Sequence, residues 1–151
     1  MRFAWTGDGV TADGRLVATF DQEWLRDRAD VRLEGQTWRF RKDGLGGGWA
    51  ASLDGDDRIV ASSLSMWRMR WEVRAPSGVF EVHRTSTFLA TTFELRVGGA
   101  AVGTIENDAF WRFVPVLEAP DAMPPAEAAF VLWFVRRAVA RAAATSASVS
   151  T

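Results

Sequence analysis

The chain holds one imidazole, His83, so any histidine-based acid–base or nucleophilic chemistry would have to run through it. Ser86 or a nearby carboxylate would be its partner. In "GVFEVHRT" the alternation puts His83 on the face opposite Phe80 and Val82, which makes it a strand residue facing water. A second constellation is "DGDD", where Asp54, Asp56 and Asp57 could surround Ca²⁺. It lacks EF-hand spacing and the distal Glu, and Asp with Gly is also what a hairpin turn needs. A third is "GLGGGW", Gly44–Trp49, which could suggest a phosphate cradle. No Lys-Ser/Thr follows it and no helix, so a loop between strands is the better reading.

Arginine offers the remaining chemistry. Arg39 and Arg41, with Lys42, lie on the polar side of one strand pattern; Arg68, Arg70 and Arg74 lie along another stretch. If those stretches were neighbours, their guanidinium groups could form a patch that holds phosphates. Glu34, Glu72 and Glu81 could equally neutralise them across a sheet. Trp67 and Trp111 each precede an Arg in a loop. They could dip into a membrane interface or cap a core, and capping is the simpler expectation. No nucleophile–base or metal constellation stands beside these, so the sequence points to a non-enzymatic protein that needs no cofactor.

The whole chain narrows the options further. It has 151 residues, suited to one domain. Its 18 basic and 19 acidic residues nearly cancel, leaving no global drive toward nucleic acid. It contains no Cys, so disulfides, thiolate catalysis and Cys-bound zinc are excluded. "MRFAWTGDGVTADGR" has no apolar run long enough for a secretory h-region, and a cytoplasmic location is expected.

These residues must be positioned by strands. "RLVATFDQEW" sets Leu16, Ala18 and Phe20 against Val17 and Thr19; "TWRFRKDG" sets Trp38 and Phe40 against Arg39 and Arg41. "MRWEVRAPSG" alternates Met69, Trp71 and Val73 with charges, and "TFELRVGG" does so with Phe93, Leu95 and Val97. Period two with frequent Gly, Asp and Pro turns predicts a meander of half-buried strands, closed as a barrel or folded as a sandwich. Within it "WAASLDGDDRIVASSLSMWRMRWEV" lies over "FELRVGGAAVGTIENDAFWRFVPV", with Leu53 on Val97, Gly55 on Gly99, Trp67 on Trp111 and Arg68 on Arg112. A short gap carries Ile59–Ser62 onto Ala101–Thr104. Trp38–Phe40 and Val79–Val82 correspond ahead of these. The pattern predicts an internal duplication of two units of about 40 residues.

"PPAEAAFVLWFVRRAVARAAA" then reads as a helix over about 125–143. Prolines mark its start, Glu127 suits its first turn, and Phe130–Val135 are apolar in every direction. The clean apolar run is far shorter than the roughly 20 residues of a spanning helix. Burial inside the β structure satisfies it instead, with Phe130–Val135 deep and Arg141 near a rim. Residues 145–151 are expected to form a frayed tail after a single domain of 1–144.

A β meander followed by a proline-marked hydrophobic C-terminal helix resembles the tubby C-terminal-like superfamily. That group includes tubby domains, LURP-one-related proteins and phospholipid scramblases. The carrying segments are "FELRVGGAAVGTIENDAFWRFVPVLEAP" and "MPPAEAAFVLWFVRRAVARAAA", similar to small bacterial LURP-one-type members. The resemblance implies a closed antiparallel barrel of about twelve strands around a central hydrophobic helix. It also implies a binding or scaffold role, with phospholipid head groups or another anionic ligand; the family's own basic positions have no match here, and the patch read from the strand pattern, Arg39, Arg41, Arg68, Arg70 and Arg74, is where such a ligand would be met. A protein-interaction or regulatory module without a lipid ligand is the alternative. Either would be cytoplasmic, peripheral at the membrane where lipid is bound, and not transmembrane.

Overall fold

Alternation makes the strands, and in the computed structural model of the protein those strands close. The structure describes residues 1–23, 27–44, 46–85, 91–109 and 112–149. The strands are β1 (Arg2–Thr6), β2 (Gly9–Ala12), β3 (Arg15–Glu23), β4 (Arg28–Leu33), β5 (Gln36–Asp43) and β6 (Gly48–Leu53). They continue as β7 (Asp56–Ser65), β8 (Arg70–Ala75), β9 (Gly78–Arg84), β10 (Phe93–Val97), β11 (Ala100–Asn107) and β12 (Pro115–Glu118). One helix follows, α1 (Pro125–Val149). Each strand pairs antiparallel with the next, and β12 closes onto β1 through Arg2↔Glu118, Phe3↔Leu117 and Ala4↔Val116. Beyond that register, Met1 and Ala119 exchange backbone hydrogen bonds of 2.9 Å each way. Closure leaves no unpaired edge to invite a foreign strand.

The inward positions are the apolar ones. Trp38 and Phe40, Trp71 and Val73, Phe80 and Val82, and Phe93 and Leu95 are all buried. Val97, the last residue of β10, is 50% exposed rather than buried, and Leu16 departs from the alternation and is 57% exposed. The cause at Leu16 is a bulge: Val10 pairs with Ala18 and Thr11 with Leu16, leaving Val17 unopposed. An extra residue in a strand with period two turns every side chain beyond it to the other face.

The same bulge recurs and redefines the internal repeat. Ala51 pairs with Ile59 and Ser52 with Asp57; Leu95 pairs with Gly103 and Arg96 with Ala101. In all three hairpins the bulge lies two pairs from a two-residue turn with positive φ. Those turns are Asp13–Gly14 (48°, 85°), Asp54–Gly55 (53°, 83°) and Gly98–Gly99 (58°, 83°). This is the turn whose twist matches a hairpin. Between the second and third hairpins the offset is constant, so Ile59 corresponds to Gly103 and no gap is needed. The expected two units are therefore three: β2–β5, β6–β9, and β10–β12 completed by β1. A further equivalence links the first two. Lys42 N–H donates to the Asp27 carbonyl, Arg84 N–H donates to the Met69 carbonyl, and Asp27 and Met69 both have positive φ.

The helix fills the barrel. Ala128 to Val135 are each at most 1% exposed. Trp133 meets Trp49 edge-on at 5.3 Å and Phe40 at 5.8 Å, and Phe134 meets Trp71 at 5.2 Å. At about 1.5–3 kcal/mol for each large apolar side chain, Phe130–Val135 contribute on the order of 10 kcal/mol. That gain needs partners in every direction, which a surrounding wall supplies. The helix runs to Val149, past the expected end near residue 143 and into the segment expected to fray.

Polar contacts fasten it at both ends. Near its start Glu127, 2% exposed, accepts a hydrogen bond from Ser77 Oγ in the β8–β9 turn. At the other rim Asp27, in the β3–β4 connection, takes Arg137 and Arg141 together. Arg137 Nε donates to Asp27 Oδ1 at 2.9 Å, Arg137 Nη2 donates to the same oxygen, and Arg141 Nη1 donates to Oδ2. Arg141 thus sits at a rim, as the sequence suggested.

Candidate functional site: the loop end of the barrel

A meander gives the barrel two different ends, because successive connections alternate between them. One end carries the turns Asp13–Gly14, Glu34–Gly35, Asp54–Gly55, Pro76–Ser77 and Gly98–Gly99, together with residues 119–124 that lead into the helix. These connections contain Asp13, Glu34, Asp54 and Asp121 and no base. The other end carries the β1–β2 turn and the longer connections 24–27, 44–47, 66–69, 85–92 and 108–114, and there the second half of the helix emerges. Among the described residues its connections and emerging helix hold Arg68, Arg112, Arg136, Arg137 and Arg141 against Asp8, Asp27 and Asp108. The net charge of the whole chain hides this segregation.

Like charges gather at the basic end. Arg136 stacks over the Trp5 ring at 4.7 Å. Its guanidinium is held below the usual arginine range by burial first, then by the like charges of Arg137 and Arg112. At the apex of the same end is the β7–β8 connection. Trp67 is 98% exposed and Met66 67% exposed, with exposed Arg68 beside them and Leu64 half exposed on the strand below. The core-capping expectation for Trp67 is thereby overturned: the residue points into solvent. Trp111 lies outside the described residues.

The wall arginines do not form the patch that adjacency would have made. β6 and β7 separate β5 from β8. Arg39 Nε donates to Asp30 at 3.1 Å. Arg41 donates twice to Asp57, at 2.9 and 3.1 Å. That pair holds the Asp57 carboxyl below the ordinary range and raises Arg41. Arg74 Nε donates to Glu72 at 2.9 Å. Arg70 faces His83 across the β8–β9 register, with its Nε buried and lacking a hydrogen-bond partner. Of the five candidates, Arg68 alone lies in a connection of the loop end, with Arg70 opening the strand that follows it.

The other constellations resolve structurally. His83 is on the outer face as expected, yet its side chain is only 14% exposed, covered within a row of charges, with Nε2 3.3 Å from Glu81 Oε1. Ser86 lies outside the described residues. Asp54–Gly55 is a hairpin turn, and Asp57 is committed to Arg41. No group of three or more metal-ligating side chains occurs among the described residues. The Gly44–Trp49 stretch, whose Leu45 lies outside the described residues, is tied down by the Trp71 indole, which donates to the Gly47 carbonyl at 3.0 Å. Depressions on the wall are open: one is lined by Arg2, Glu106, Asp108 and Glu118, another by Thr19, Phe20, Asp21 and Arg32. Among the described residues no helix is long and apolar enough to cross a membrane.

Fold and site together define a closed twelve-stranded antiparallel barrel plugged by its own C-terminal helix, with a basic, aromatic-tipped end. No family model, no curated protein and no solved structure matches the chain.

Proposed function

We propose that this protein is a non-enzymatic binding domain of the tubby C-terminal-like kind, recognising an anionic ligand, foremost phospholipid head groups, at the loop end of its barrel. The observation that carries this reading is the segregation of charge between the two ends, which directs an anion to one of them. The plugged interior supports it as well: Phe130–Val135 fill the space inside the barrel that a carried ligand would need, so recognition falls to the exterior. In this reading the protein is cytoplasmic and meets the membrane peripherally.

Vesicle cosedimentation tests it. Binding should require anionic lipid and weaken as salt rises, because contacts near a charged surface are screened within about 10 Å at 0.1 M. Absence of binding at low salt overturns it. A protein-interaction module is the second reading, favoured by half-exposed Val79 and Val97 and by Val102, all toward the acidic end. It predicts capture of a defined partner whether or not lipid is present.

A further inference from the structure

The apolar residues at the loop end are a different observation from its charge. A Trp that is 98% exposed makes almost no contact with its own protein. With Met66 in the same connection and Leu64 near the end of β7, it makes three exposed large apolar residues within four sequence positions, rather than the scattered single residues of an ordinary surface. The hairpin itself is firmly based: Trp71 and Met69 are buried, and the Met69 carbonyl receives the Arg84 N–H at 3.1 Å. Arg68 stands beside the indole, and the emerging helix brings Arg136, Arg137 and Arg141 to the same end. An amphipathic ring with a long cationic side chain next to it suits the head-group zone of a bilayer, where indole rings concentrate and arginines meet lipid phosphates.

We infer that the β7–β8 connection is a membrane anchor: the barrel docks end-on against an anionic bilayer, with Trp67, Met66 and Leu64 entering the interface and Arg68 pairing with lipid phosphate. This rests on the proposed function and commits its anionic ligand to a bilayer surface. The charge decides between occupants. A purely apolar protein groove would leave the exposed Arg68 unanswered, whereas an anionic leaflet meets ring and cation at once. Arg112, exposed in the β11–β12 connection, adds a further cation at this end.

The test uses the full chain with vesicles of phosphatidylcholine, alone or with phosphatidylserine. Trp67→Ala should weaken binding to the mixed vesicles about ten-fold or more, since it removes most of the exposed apolar area. Arg68→Gln should weaken it by roughly five-fold and flatten the salt dependence. Lipids brominated along their acyl chains should quench wild-type fluorescence more than that of Trp67→Phe, which retains the other indoles. None of these substitutions removes a core contact, so all three variants should unfold with the wild-type midpoint. Salt-dependent binding that is equal in Trp67→Ala, with no difference in quenching, overturns the anchor while leaving anion recognition standing. Binding to soluble polyanions or an acidic protein without binding to vesicles also overturns it. Failure to bind any anion removes the underlying function.

Discussion

Asp27 offers the sharpest test of how the helix is held. Its carboxylate is 9% exposed and receives Arg137, 15% exposed, and Arg141, 52% exposed. Asp27→Asn removes the charge and keeps the shape. Asn also tolerates the positive φ of 48° at this position, so the turn itself is not perturbed. Losing one partner of a buried ion pair costs about 3–5 kcal/mol. Here the amide oxygen can still accept a hydrogen bond and one arginine reaches water, so a loss of about 2–3 kcal/mol is expected. Arg137→Gln should cost a similar amount. Arg141→Gln should cost less than about 1 kcal/mol, the value of an exposed pair. Urea unfolding at neutral pH, read as midpoint and slope, measures all three. If Asp27→Asn costs under about 0.5 kcal/mol, or Arg141→Gln costs as much as Arg137→Gln, the clamp does not hold the helix through its buried half.

Two further predictions concern the core and the wall. Trp133→Asp should abolish folding, because an unpaired charge would sit where the side chain is now 1% exposed; a soluble variant with wild-type near-ultraviolet dichroism would refute the central placement of the helix. Trp133→Phe should be far milder, since the indole N–H it removes has no hydrogen-bond partner. The Arg41–Asp57 pair should contribute roughly 0.5–1 kcal/mol at neutral pH, as both side chains are partly exposed. The folded Asp57 carboxyl lies below its unfolded value, so this stability is present above about pH 4 and lost as pH falls through the folded value. The gap in melting temperature between wild type and Asp57→Asn should therefore close on acidification, and a gap constant down to about pH 2 would contradict the assignment.

Much of the architecture was legible because it depends on local pattern. Alternation marked Trp38 and Phe40, Trp71 and Val73, and Phe93 and Leu95 as inward residues, and all of them are buried. The helix declared its own location, since a segment apolar on every side needs a wall all round it. The bulges were harder to see. Leu16 looked like a core residue because nothing local signals that Val17 is unopposed; a bulge is a property of two strands. The unit missed in the sequence, β2–β5, was hidden for the same reason, since its kinship rests on the bulge opposite Val17. The unit β10–β12 was visible but incomplete, because its fourth strand is β1 and only ring closure brings that beside β12.

The sequence by itself determined a meander, its filled core and the barrel's need for a central helix, because side-chain period and apolar content are local quantities. It also named Arg68 and Trp67, but it could not say which residues share an end. That follows from the parity of strand crossings, which needs every strand and every connection to be placed. Tertiary structure alone separated Arg39 and Arg41 from Arg70 and Arg74 by two strands and paired Arg41 with Asp57. It also gathered Arg68, Arg112 and the helix arginines at one rim, far apart in sequence. Charge adds through space, so a near-neutral chain became a barrel with one acidic and one basic end only when it closed.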